Sequence, residues 1–147
     1  FHLNGEPIRI MHVPPAHTDG DSIVHFVKSN IIHTGDTFFN GFYPFIDVEH
    51  GGNIDGMIKA ANITLGLAND QTKIIPGHGP LGNKQQLTAF RDMLIQARDA
   101  VKMSAKAGKT PEQIASSSAM KTLNAKWGNG FLKPHIFVKI VLGGMKG

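Results

Sequence analysis

The sequence predicts an α/β (α+β) chain in which a mixed β-sheet packs against helices. Three observations predict it. Short β-branched runs bounded by glycine and proline fill the beginning of the chain, helical periodicities fill the rest, and one more short apolar run lies between two helical stretches. Composition agrees with one folded domain, because 147 residues at 41% hydrophobic supply a core and 18% charged is too little for disorder.

The opening is predicted as a hairpin: His2-Leu3 and Ile8 to Val13 flank Asn4-Gly5, a dipeptide suited to a two-residue turn. Pro14-Pro15 ends the second strand, since proline removes ladder donors. Ser22 to Val27 and Asn30 to His33 predict another strand pair around a Lys28-Ser29 turn. Residues 37–52, with Phe38, Phe39, Phe42, Tyr43 and Phe45 near Gly51 and Gly52, read as a long functional loop. Asn53 suits the cap of a helix in which Ile54, Met57, Ile58, Ala61 and Leu65 share a face. Gln71 to Ile75 reads as a short buried strand ended by Pro76-Gly77. A longer helix is predicted from about Lys84 to Ala107, apolar at Leu87, Phe90, Leu94, Ala97 and Val101, with Gly108 ending it. Thr110-Pro111-Glu112-Gln113 opens another through a capping box, and Ile136 to Leu142 predicts a last short helix. Residues 1–107 thus hold the motifs, and 108–147 form a helical extension.

Several classes are excluded. There is no cysteine, so disulfides, thiolate metal sites and cysteine nucleophiles are absent together. No apolar run approaches the roughly 18 residues that span a bilayer, so no membrane partner is expected. Charge is uneven: residues 100–147 hold eight lysines against Glu112 alone. Yet Lys102, Lys106, Lys109, Lys121, Lys126, Lys133, Lys139 and Lys146 are dispersed and unaccompanied by arginine, the pattern of a solvated helical surface rather than a nucleic-acid face. No signal segment is present within the chain. Its lack of thiols and its start at Phe1 fit an exported or periplasmic protein slightly better than a cytosolic one, which leaves the compartment open.

Three turns could carry chemistry: Pro15-Ala16-His17-Thr18-Asp19-Gly20-Asp21, His33-Thr34-Gly35-Asp36-Thr37 and Pro76-Gly77-His78-Gly79-Pro80. Each follows a predicted strand, and strand ends converge in space. Imidazole and carboxylate without thiolate suit zinc, iron or manganese. Coordination bonds of about 2 Å require the side chains of His17, Asp36 and His78 to lie within about 8 Å of one another.

Read together, the runs Ala16 to Asp21, His33 to Asp36 and Ile74-Ile75-Pro76-Gly77-His78-Gly79-Pro80 resemble the second half of a metallo-β-lactamase superfamily hydrolase, over roughly residues 1–107. The resemblance implies half of an αββα sandwich with one or two metals, usually zinc, at one edge. It implies that His17 is the third imidazole on the first metal, that Asp36 bridges both metals in the catalytic centre, and that His78 ligates the second. The implied reaction is attack of a metal-bound hydroxide on an ester, thioester, lactone, amide or phosphoester bond of a small-molecule substrate. The family's His-x-His-x-Asp-His motif precedes these turns, and no stretch of this chain reads that way. The chain is therefore expected to be a carboxyl-terminal portion in which each metal keeps two protein donors at most. A catalytic zinc needs about three plus an open position, so the isolated chain is expected to be inactive, or nearly so, unless the missing N-terminal half or another protomer completes it. The exposed inner face of the sheet then predicts a homo-oligomer, a swapped pair or a cleaved partner. The alternatives are a non-catalytic fragment or interaction module of the same fold, and a nuclease or phosphodiesterase member using the basic end.

Other side chains carry lesser expectations. His33 supports the metal donors by hydrogen bonding or is a buried strand histidine. Asp19 and Asp21 cap a turn or orient His17, while Tyr43 and His50 border a substrate pocket. His12, His135 and Trp127 are structural.

Overall fold

The computed structural model describes residues 1–145, so Lys146 lies outside the described residues. The chain begins as the expected hairpin: β1 (His2–Leu3) pairs antiparallel with β2 (Glu6–His12). Asn4 (φ 52°) and Gly5 (φ 78°) both take the left-handed conformation that such a tight turn demands. β3 (Ser22–Phe26) pairs antiparallel with β2 and with β4 (Ile31–His33). β4 then pairs parallel with β5 (Lys73–Ile75), so the sheet is mixed, in the order β1-β2-β3-β4-β5.

A parallel pair needs a crossover, and α1 (Ile54–Leu67) supplies it. Asn53 caps α1 by accepting from the Gly56 amide, while Ile54, Met57, Ile58 and Ala61 point inward. α2 (Lys84–Lys106) opens with a full capping box between Asn83 and Gln86 and buries Leu87, Phe90, Leu94, Ala97 and Val101. Gly108 (φ 74°) takes the left-handed turn just past its end. The extension is three helices: α3 (Pro111–Ala115), α4 (Ser118–Trp127) and α5 (Pro134–Gly144). Trp127 and Phe137 are buried, each worth about 1.5–3 kcal/mol. The Lys139–Glu112 pair between α5 and α3 is exposed at both ends, so solvent screens it and it adds little. Apolar burial, not ion pairing, holds the extension down. Among the described residues no helix is long and apolar enough to cross a membrane.

Cross-strand register fixes the two sheet faces. Met11, Ile23, His25, Ile32 and Ile74 share one face, and Ile23, Ile32 and Ile74 are fully buried in one core with α1 and α2. The other face carries Ile10, Val24, His33 and Ile75 in one row, and Ile8, Phe26, Ile31 and Lys73 in the next. Ile10 is 58% exposed there, and Val24, Phe26, Ile31 and Ile75 are only half-buried. One side of the sheet is therefore apolar in part and uncovered.

Residues 37–52 are irregular in backbone, as a long loop is expected to be, but several of their aromatics are buried. Phe38, Phe39, Tyr43 and Ile46 are each at most 2% exposed and belong to the core. The segment is held between two helices, with Phe38 against Phe90 of α2 and Tyr43 stacked on Phe137 of α5.

Candidate metal centre

The centre lies where the parallel strands β4 and β5 end. Their following segments run side by side: Thr34 donates both its amide and Oγ1 to Ile75 O, Gly77 N to Phe38 O, and Asn40 N to His78 O at 2.9 Å. The Gly35–Thr37 segment is one 3-10 turn, entered through Gly35 in the left-handed region (φ 54°). His33 Nδ1 accepts the Gly35 amide, and Thr37 Oγ1 donates to Thr34 O. These bonds aim Asp36 at the second loop. The fit is close: a Cβ on Gly77 would lie 2.1 Å from Asp36 Oδ1 and 2.7 Å from Gly35 O. Only glycine admits the carboxylate here.

The His17 turn is held from two sides. Asp21 Oδ2 accepts the amides of His17 (2.6 Å) and Thr18 (3.0 Å), and Asp21 Oδ1 accepts from Thr18 Oγ1. From the other side, Asp47 N donates to His17 O and Asn53 N to Ala16 O. Gly52 and Gly56 make that approach possible, since a Cβ on either would fall 2.1 Å from His17 O and 1.4 Å from Pro15 O respectively. Asp47 is itself fixed by His50, whose Nδ1 lies 2.8 Å from its carboxylate. That hydrogen bond is the largest cause of a lowered Asp47 pKa and of a raised His50 pKa.

The three side chains converge. His17 Nε2 lies 3.5 Å from Asp36 Oδ2, and His78 Nε2 lies 3.3 Å from Asp36 Oδ1. Both separations exceed the usual hydrogen-bond range. Two donors bonded at about 2.0–2.1 Å to a tetrahedral ion stand about 3.3–3.4 Å apart, so the spacing fits donors that share a cation. Each imidazole faces a different oxygen of the Asp36 carboxylate. His17 Nδ1 is 3.0 Å from Phe45 O; the carbonyl can only accept, so Nδ1 carries the proton and Nε2 keeps its lone pair. The His78 ring stacks on Phe39 at 4.6 Å. Each imidazole–carboxylate pair provides two donors, and among the described residues no group of three or more His, Asp or Glu is arranged to hold a metal ion.

The remaining expected site residues are placed as follows. Asp21 caps the His17 turn. Asp19 is exposed, and its backbone, not its carboxylate, joins the network by accepting from His12 Nε2 and donating to His50 O. His33 is exposed on the open sheet face, which corrects the buried-histidine alternative; its ring supports the Asp36 turn. His50 is exposed and acts on Asp47 rather than on the cluster. Tyr43 does not border a pocket: it is 1% exposed, stacked on Phe137 at 4.1 Å, with its hydroxyl donated to Asn124 Oδ1. Burial pushes that hydroxyl's pKa well above its usual value.

The close approach at Gly77 agrees with the glycines read beside His78 in the sequence. Sequence reasoning missed three contributors: the Phe45 carbonyl, Phe39, and Phe131, whose ring centroid lies 6.4 Å from that of His78. Nothing local marks them, because they act through long-range packing.

Neither a protein-family model nor a curated protein sequence matches the chain. Solved structures do. A metallo-β-lactamase from Pontibacter korlensis superposes with a TM-score of 0.56 at 16% identity, covering 64% of this chain and 44% of that one. The DIM-1 metallo-β-lactamase gives 0.53 at 22% identity over 61% and 42%. A stereoselective inverting sec-alkylsulfatase from Pseudomonas sp. gives 0.73 at 15% identity, covering 96% of this chain and 24% of that one. The chain thus spans less than half the length of the metallo-β-lactamases it matches, and its likeness to the alkylsulfatase reaches through the helical extension. The chain has the metallo-β-lactamase fold, to an extent consistent with the carboxyl-terminal half of that fold.

Proposed function

We propose that this chain supplies one wall of a binuclear, metal-dependent hydrolase, with zinc as the ion and iron or manganese as chemically compatible substitutes. One observation carries the reading: Asp36 offers one carboxylate oxygen to each of two imidazoles, at 3.3 and 3.5 Å. Divalent cations there would supply Lewis acidity and, by lowering the pKa of water, a nucleophile at neutral pH. The bond attacked is an ester, thioester, lactone or amide in a small-molecule substrate.

The chain's own residues hold and orient. Phe45 O keeps His17 in the tautomer whose Nε2 can donate, Asp36 spans the pair, and His78 is braced by Phe39. With two donors for each ion, the remaining ligands come from a further segment or a second chain, which would also cover the open sheet face. Alone, the chain is expected to be inactive.

A second reading, a non-catalytic module of the same fold, is favoured by the lack of a three-donor group among the described residues. Zinc titration at equilibrium, without a desalting step that would strip ions held by two donors, separates the two. Zinc binding that is lost in Asp36→Ala and His78→Ala, and kept in His50→Ala, supports the metal centre. No zinc binding by the parent chain, or equal binding by Asp36→Ala, overturns it.

A further inference from the structure

The side chains around the cluster are aromatic, and two of them are exposed. Phe45 (41% exposed) stands edge-on to His17 at 5.8 Å between centroids. Phe131 (60% exposed) lies 6.4 Å from His78 and 6.2 Å from Phe39. The two rings thus flank the donors at opposite ends, with Phe39 buried between them and 6.4 Å from His17. A phenyl left partly in water forgoes part of the free energy of burial. Two such rings beside a polar cluster make a surface that is apolar with a few convergent polar groups, the make-up of a small-molecule site.

Phe131 is not a loose end. It follows Gly130, where a Cβ would come 2.7 Å from Phe42 Cβ, so the turn after α4 is pressed onto the aromatic segment. Phe42 meets the Phe131 ring edge-to-face at 5.9 Å. The helices behind are tied to the same segment by Tyr43 N to Trp127 O (2.9 Å) and Tyr43 OH to Asn124 Oδ1 (2.8 Å). The helical extension therefore carries a positioned phenyl, between α4 and α5, at the edge of the centre.

We infer that Phe131, with Phe45 opposite, is a specificity-determining wall of the site, and that the substrate carries an apolar group of about phenyl size next to the bond that is cleaved. The inference rests on the metal reading above and adds a substrate class to it. The 108–147 extension then serves the site as well as the fold.

Two probes share a head group and differ by one ring: benzylphosphonate and methylphosphonate, titrated into the zinc-loaded chain. Benzylphosphonate is expected to bind at least about tenfold tighter. Phe131→Ala should bring the ratio to about twofold with methylphosphonate affinity and zinc content unchanged, while Phe131→Leu keeps most of the preference. An unchanged ratio in Phe131→Ala, or zinc uptake without any preference in the parent chain, overturns the wall and leaves the metal reading intact. Failure to take up zinc overturns the metal reading and this inference together. Sedimentation of the same proteins covers the other occupant: a parent dimer made monomeric by Phe131→Ala, at unchanged ratio, assigns the ring to an interface and overturns the proposal.

Discussion

Gly77→Ala is the most direct test of the geometry, because a single methyl group enters the gap that Asp36 occupies. The added Cβ starts 2.1 Å from Asp36 Oδ1, and ordinary contact begins near 3.4 Å, so the oxygen must retreat by about 1.3 Å (3.4 − 2.1). The Gly35 loop must give as well, since Gly35 O would be 2.7 Å from the same Cβ, and as backbone it moves only at a cost. Coordination distances tolerate about 0.2 Å, so a shift of that size removes Asp36 Oδ1 from the donor pair it forms with His78 Nε2 at 3.3 Å. Zinc affinity should fall roughly 10–100-fold, the range seen when the groups supporting a ligand are disturbed. Overpacking of this kind costs about 1–3 kcal/mol, which a folded domain can survive. Competition with a chromophoric zinc chelator reads the affinity, and urea melts read the stability. A folded Gly77→Ala protein with parental zinc affinity would refute the claim that Asp36 is a ligand in the position described.

Four further outcomes follow from the same contacts. Asp21→Ala removes three bonds that hold the His17 turn and should cost about 2 kcal/mol in urea melts and weaken zinc binding, whereas Asp19→Ala should change neither; equal effects would contradict the cap. Gly66→Ala lies in α1 with nothing within 4 Å of the new Cβ, so thermal melts should show a gain of about 0.5–1 kcal/mol. Tyr43→Phe leaves Asn124 Oδ1 without its donor and should cost about 1 kcal/mol while zinc content stays constant; a loss of zinc would return Tyr43 to the site. His25 is 8% exposed with an unpartnered Nδ1, and burial first, then the charge of Arg9, holds its pKa below the usual 6.5. The unfolded chain then binds the proton more readily than the folded one, so stability is unaffected by this group above about pH 6.5 and falls as the pH drops below it. Melts at about pH 7.5 and 5 should show a loss that His25→Phe reduces; an equal loss in both proteins refutes it.

Much of the architecture was legible because it is written in short-range signals. Asn4-Gly5 marks its turn by left-handed backbone, Asn83 and Gln86 mark a helix start by reciprocal bonds, and Gly108 marks a helix end. The three motif turns stood out only together, since each alone is an ordinary glycine- or proline-bearing turn and it is their occurrence at three strand ends that packing does not explain. What local pattern could not convey was the partner of each side chain. His33 sits at a strand position suited to either face, and only its register with Val24 and Ile75 puts it on the uncovered one. Tyr43 reads as a loop aromatic until Asn124 and Phe137 arrive from the far end of the chain. Phe131 had no signal at all, because its proximity to His78 depends on how α4 docks.

The placement of Asp36 and His78 just beyond the ends of neighbouring parallel strands also has a kinetic meaning. β4 and β5 cannot pair until the intervening stretch, α1 included, has been looped back, and such distant pairings form slowly because loop closure comes before any compensating contact. A nascent or partly melted chain therefore holds its imidazoles apart and has little grip on a cation. On the proposed metal reading, capture of the ion comes late, and the ion acts as a latch on a β-sheet that has already closed.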